Sequence, residues 1–215
     1  MVKYKKLAFI GLGVMGEPMC RNLVEKSGLS VVGFDNKMEP LRRLTPYGVI
    51  PAQNLVEALT LADVVFMCLP SGVEIEKLST TNDGLLSISR AGQIFIDLGT
   101  TPVGLTRRLA KEFAAKGAMY VDAPVSRTRS AAAAGTLSSL VGGEKDVFES
   151  ILPLLKCFSE EVTHCGAVGA GQIVKQLNNM ILTETVVALA EADTRTVEQQ
   201  QLHHIFPPVL AREHQ

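Results

Sequence analysis

Charge of one sign is missing from this chain. Lysine and arginine number 21 against 22 aspartates and glutamates, a formal net charge of −1, and charged residues make up only 20% of the sequence. Without a basic footprint no nucleic-acid partner is expected, and a hydrophobic fraction of 47% argues for a packed core rather than a disordered chain. Cysteine is sparse. Cys20, Cys68, Cys157 and Cys165 show no CxxC spacing and no paired histidines nearby, which excludes a zinc ribbon or a disulfide framework and leaves them as reduced core thiols. Long apolar runs are also lacking. No uninterrupted stretch approaches the ~20 residues that span a bilayer, so no membrane partner is expected. The apolar residues 7–10 give way at once to Gly11-Leu12-Gly13, too early for a signal peptide, and the expected place is cytoplasmic. No solenoid repeat is visible.

What is present is alternation. Short runs rich in Val, Ile and Phe at 7–10, 31–34, 64–69, 94–97 and 119–122, with later ones at 137–141 and 161–164, are separated by segments of helical spacing at 14–26, 55–62, 102–115 and 144–155. Such alternation is the sequence form of repeated βαβ units around a parallel sheet. From Gly169 the pattern becomes one long helix reaching about Ala192, with apolar residues around much of its girth. A helix of that kind expects neighbours on several sides, and self-association into a homo-oligomer is one way to supply them. The last stretch, 193–215, is compositionally foreign, with Gln199-Gln200-Gln201, Pro207-Pro208 and three of the four histidines. A poorly ordered tail is expected there, and His203, His204 and His214 read as solvated rather than as metal ligands.

Gly11-Leu12-Gly13-Val14-Met15-Gly16 fits GxGxxG, the turn that lets a backbone approach a pyrophosphate at a helix N-terminus. Its context matters more than the pattern. A strand precedes it, a helix follows, and a second strand ends at Asp35, about 20 residues after the glycines. The expected fold is therefore α/β, a Rossmann-type doubly wound and mostly parallel sheet followed by a long C-terminal helix. Its divisions are a dinucleotide-binding domain at 1–165, the long helix at 166–192 and the atypical tail at 193–215.

The expected cofactor is a nicotinamide dinucleotide. A carboxylate at Asp35 suits the ribose hydroxyls of NAD and repels a 2′-phosphate, while Lys37, Arg42 and Arg43 leave NADP open. Asp35 as a helix cap before Met38 is the structural alternative. Cys68-Leu69-Pro70-Ser71 and Asp97-Leu98-Gly99-Thr100 break the chain at adjacent strand ends, where ligand crevices of open α/β sheets lie; Leu69, Pro70 and Thr100 are candidate cofactor contacts. Ser126 ends the next strand with no histidine partner in sight, which disfavours a serine hydrolase and favours a substrate hydrogen bond. Lys175 and Asn179, four apart on the long helix, share one face.

Taken together, Phe9-Ile10-Gly11-Leu12-Gly13-Val14-Met15-Gly16, Asp122-Ala123-Pro124-Val125-Ser126 and Gly169-Ala170-Gly171 leading to Lys175-Gln176-Leu177-Asn178-Asn179 resemble the β-hydroxyacid dehydrogenase family from residue 5 to about 192. The resemblance implies hydride transfer between NAD and a small 3-hydroxy acid, a carboxylate substrate of the 3-hydroxyisobutyrate kind. It implies that Lys175 is the catalytic acid/base, that Ser126 and Asn179 hold substrate, and that Thr100 touches the nicotinamide end. Lys175 sets the chain apart from imine-reducing relatives, which usually place another acid there. Two departures stand out. Arg127 and Thr128 occupy the place of a substrate-binding glycine pair, so a guanidinium either clamps the carboxylate or blocks its pocket. Family members also continue after the long helix into a helical domain of roughly a hundred residues, which this sequence does not show. The switch at Asp193 reads as a truncation or frame change, and a dinucleotide-binding module with little turnover is the alternative expectation.

Overall fold

A computed structural model describes residues 4–60 and 62–198, with side chains up to 193. The tail histidines His203, His204 and His214, and most of the segment expected to be atypical, lie outside the described residues. Two compact units result, Met1–Lys175 and Gln176–Gln215.

The first unit opens with β1 (Lys6–Ile10), α1 (Gly16–Ser27), β2 (Ser30–Phe34), α2 (Met38–Leu44), β3 (Ile50–Pro51), α3 (Leu55–Thr60) and β4 (Val64–Met67). It continues through α4 (Gly72–Thr80), α5 (Leu85–Ile88), β5 (Ile94–Asp97), α6 (Val103–Ala115), β6 (Met119–Asp122), β7 (Val125–Ser126), α7 (Arg129–Ala134), β8 (Leu137–Gly142), α8 (Lys145–Leu155) and β9 (Ser159–Gly166). The helix α9 (Ala170–Glu198) begins here. Among the described residues the strands form one sheet in the order β3-β2-β1-β4-β5-β6-β8-β7, with β9 beside β8. All pairs from β3 to β6 are parallel, whereas β8 runs antiparallel to β6 and β7 and parallel to β9.

Side-chain alternation explains why both faces are covered. Leu7 and Phe9 of β1, Phe66 of β4 and Ile96 of β5 point to one layer, where Met19 and Leu23 of α1 and Ile151 and Leu155 of α8 meet them. Ala8, Ile10, Val65 and Phe95 point to the other, against Leu59 of α3, Ile75 of α4 and Leu109 and Phe113 of α6. A strand buried on both faces reads as a continuous apolar run, which is how β1, β4 and β5 appear in the sequence. Each such side chain removed from water contributes about 1.5–3 kcal/mol.

The expected strands and helices are present with shifted ends, and the short elements were not expected. β3 and β7 hold two residues each, too few to show a period. The helix expected from Pro102 begins at Val103, and Pro102 is its N-cap at ψ 134. α4, α5 and α7 fill segments to which the sequence pattern assigned no element. Of the four cysteines, Cys20 and Cys157 are buried, whereas Cys68 and Cys165 are only partly so. In the second unit α9 continues, with Leu177, Met180, Ile181 and Leu182 all more than half exposed.

Candidate functional site

Register brings the functional loops to one level. Phe34, Ile10, Met67, Asp97 and Asp122 pair across the sheet in a single row. The loops that follow them, carrying Asp35, the glycines, Leu69 and Pro70, Thr100 and Ser126, therefore leave the same carboxyl edge. The chain runs outward in opposite senses from β1 and β4, and that switch point is where doubly wound sheets open a ligand crevice.

At the switch point the glycine loop has the geometry its sequence demands. Gly11 sits at φ +87, and a Cβ there would collide with the Cys68 carbonyl oxygen. A Cβ on Gly16 would collide with the Gly11 carbonyl, so α1 packs directly on the end of β1. Around Gly13 nothing lies within 4 Å of a hypothetical Cβ, which leaves its backbone open to a ligand. No side chain caps α1; the Glu17 amide donates to the Gly13 carbonyl at 3.0 Å, so the turn itself closes the start of the helix, whose N-terminal end favours an anion. Asp35 fastens the loop: its carboxylate accepts from the Leu12 amide at 2.7 Å and the Lys37 amide at 2.8 Å. It thus ties the start of α2 to the glycine turn, while the N-cap of α2 is Lys37. These features fit a dinucleotide diphosphate, held by the backbone of 11–16 with Asp35 beside it.

Two strand ends away, a buried polar network shapes the Thr100 loop. Asp97 accepts from Thr101 Oγ1 at 2.7 Å, the Gly99 amide at 2.9 Å and the Tyr120 hydroxyl at 3.1 Å. Burial nevertheless pushes its carboxyl up to about 6. From α9, Gln172 accepts from the Thr101 amide at 3.0 Å and donates to the Gly99 carbonyl at 2.9 Å. Thr100 is gripped on both flanks while itself exposed. Asp122 accepts from the Gly169 amide at 2.7 Å and the Gln172 amide at 2.9 Å, holding the first turn of α9 as an N-cap would. Burial raises its carboxyl against those same hydrogen bonds.

The next turn carries Lys175, whose ammonium donates to Ser126 Oγ at 3.1 Å. Lys175 is half-buried, and desolvation lowers it from the ordinary lysine range. Asn179 follows one turn later, exposed and within the second unit. Arg127 and Thr128 do not join the pair. Arg127 holds φ +87, and its guanidinium donates to the Thr136 carbonyl at 2.7 Å and Glu160 at 2.8 Å, with Glu161 at 3.4 Å. Thr128 is the N-cap of α7 without a side-chain cap bond, its hydroxyl 2.7 Å from Ser130 Oγ. Sequence reasoning passed over the roles of Asp97, Asp122 and Gln172. A glutamine in the first turn of a largely apolar helix was the one available signal.

Residues 6–166 match the NAD binding domain of 6-phosphogluconate dehydrogenase. The 2-(hydroxymethyl)glutarate dehydrogenase of Eubacterium barkeri is 38% identical over 89% of this chain and 64% of its own length. Mouse mitochondrial 3-hydroxyisobutyrate dehydrogenase is 35% identical over 89% and 57%. The chain thus spans less than two thirds of the length of these relatives. The solved 3-hydroxyisobutyrate dehydrogenase of Mycobacterium tuberculosis, determined with L-serine, superposes at a TM-score of 0.85 with 36% identity, over 91% of this chain and 66% of that one. No helix among the described residues is long and apolar enough to cross a membrane. With a glycine turn shaped for a diphosphate and a matching domain model over most of its length, this chain belongs to the β-hydroxyacid dehydrogenase family and carries its NAD(P)-binding domain.

Proposed function

We propose that the chain takes part in NAD-dependent oxidation of a small 3-hydroxy acid, with Lys175 as acid/base. The observation that carries this reading is the 3.1 Å contact between Lys175 and Ser126, at the same sheet edge as the open glycine loop. A nicotinamide dinucleotide held by the backbone of 11–16 and Asp35 would supply the acceptor for the hydride of the carbinol carbon. Desolvation lowers Lys175 from the ordinary lysine range, which eases loss of its proton; in its deprotonated form it takes the hydroxyl proton as that carbon becomes a carbonyl, and it returns the proton in the reverse direction. Ser126 holds the amine of Lys175 in place and hydrogen-bonds the substrate, with Asn179 as a second polar contact from the same helix face. Thr100, fixed by Gln172 and Asp97, borders the nicotinamide end, and Leu69 and Pro70 line the crevice beside it. NAD is favoured over NADP by the charge of Asp35.

The relatives' names supply the substrate class: they act on 3-hydroxyisobutyrate and 2-(hydroxymethyl)glutarate. The arginine at 127 supports a changed carboxylate site. Its side chain is spent on Glu160 and Glu161, so the substrate carboxylate meets the backbone of 127 and 128 rather than a guanidinium clamp. A homo-oligomer belongs to the same proposal, formed through the exposed apolar residues of α9. Steady-state assays with NAD and a panel of 3-hydroxy acids test the activity; turnover supports it, and silence with intact NADH binding favours a binding module instead.

A further inference from the structure

Beside the glycine loop lies a cavity of about 660 Å³ whose wall includes Gly13, Val14, Glu17, Lys37, Arg43 and Arg129. The first five belong to the segments expected to meet a dinucleotide. Arg129 arrives from elsewhere, as the first residue of α7, more than a hundred positions along the chain.

Its delivery there is built into the fold. Asn22 of α1, itself buried, donates to the Ala132 carbonyl at 3.0 Å and the Ala133 carbonyl at 3.2 Å. A Cβ on Gly135, at the end of α7, would press on Asn22 and Lys26, so the two helices lie close. With Asn22 opposite the end of α7 and Arg129 beside the same cavity as Glu17, α1 and α7 present their N-terminal ends together. The cations of the cavity are not equivalent. Arg43 is locked to Glu17 by two bonds of 2.7 Å, whereas Arg129 is exposed and, among the described residues, makes no hydrogen bond or close ion pair, its charge acting on Glu17 only at longer range.

We infer that Arg129 is a cofactor-binding residue, whose guanidinium reaches across the cavity to a phosphate of the dinucleotide held by the glycine loop. This rests on the glycine loop binding the dinucleotide. A guanidinium on the same cavity as the glycine turn and the N-terminal end of α1 can enclose a phosphate from a second side, and the fork geometry of arginine suits that oxygen set. The phosphate comes either from the diphosphate bridge or from the 2′-phosphate of NADPH, and both lie within reach of a cavity that runs from Gly13 to Lys37.

The test is a binding titration rather than an assay of turnover. NADH, NADPH and ADP-ribose are titrated into the wild-type chain and into Arg129→Ala and Arg129→Lys, by fluorescence and by thermal shift. Because Arg129 is exposed, the unliganded melting temperature is expected to stay unchanged, which separates binding from folding. Arg129→Ala is expected to weaken binding roughly tenfold, the scale of one charge-assisted hydrogen bond, to lessen its salt dependence, and to be partly rescued by lysine. Equal losses for all three ligands assign the diphosphate, and a loss confined to NADPH assigns the 2′-phosphate. Wild-type affinity of Arg129→Ala for every ligand overturns the inference. A wild-type chain that binds none of them overturns the glycine-loop reading and the inference with it.

Discussion

Lys175 and Ser126, 49 residues apart in sequence, meet at 3.1 Å because Asp122 holds both of their supports. Asp122 ends β6, just ahead of the strand that carries Ser126, and accepts the amides that open α9. Substituting Asp122 by Ala leaves those buried amides unpaired, at roughly 1–3 kcal/mol each. We expect a drop in melting temperature larger than that of Ser126→Ala. Calorimetry of the two variants checks it, and equal stability would remove Asp122 from this role.

The glycines separate folding from binding. Gly16→Ala meets the Gly11 carbonyl and should destabilise the chain by roughly 1–3 kcal/mol through overpacking. Gly13→Ala meets nothing within 4 Å and should fold normally while losing affinity for NADH. Chemical denaturation and NADH titration of both variants decide this; normal NADH affinity in Gly13→Ala would contradict the placement of the diphosphate.

Asp97 gives the fold a pH signature of unusual sign. Its carboxyl is raised from 3.8 to about 6 by burial, so the native state holds its proton more tightly than the unfolded chain. Its contribution is therefore present below pH 4 and lost as pH rises toward about 6, amounting to roughly 3 kcal/mol. Asp97→Asn, which cannot ionise, should gain stability relative to wild type between about pH 4 and pH 7. Urea unfolding at both pH values measures the difference; a constant gap would show that Asp97 does not titrate in this range.

The apolar residues of α9 predict association. Ile181 is 65% exposed and Leu182 60%, a costly surface in water. Light scattering should find an oligomer that Ile181→Glu and Leu182→Glu together dissociate. A wild-type monomer at high concentration would remove the homo-oligomer from the proposal.

Much of the sheet was legible because strands buried on both faces leave runs such as Val64-Val65-Phe66-Met67, and because the glycine turn has steric demands that few residues meet. Ser71, which accepts from the Val73 amide at the start of α4, was a readable cap that was missed. α5 and β7 were beyond reach, being too short to carry a period. The network around Asp97 and Gln172 was hidden for a different reason. Its bonds join residues 71 and 73 positions apart, and nothing local to either residue records the other. Arg127 shows the converse limit: its position was noticed, but the direction of its side chain depends on Glu160 and Glu161 on another strand.

The proton transfer is tested most directly by a single turnover. The NAD-saturated chain is mixed with 3-hydroxyisobutyrate, and NADH fluorescence is followed in wild type and Lys175→Ala, with NADH affinity measured alongside. General acid/base catalysis is worth about 10²–10⁴-fold, so Lys175→Ala should slow NADH formation by at least about a hundredfold with its NADH affinity within about twofold of wild type. NADH formation at the same rate in both proteins would contradict the assignment of the proton to Lys175.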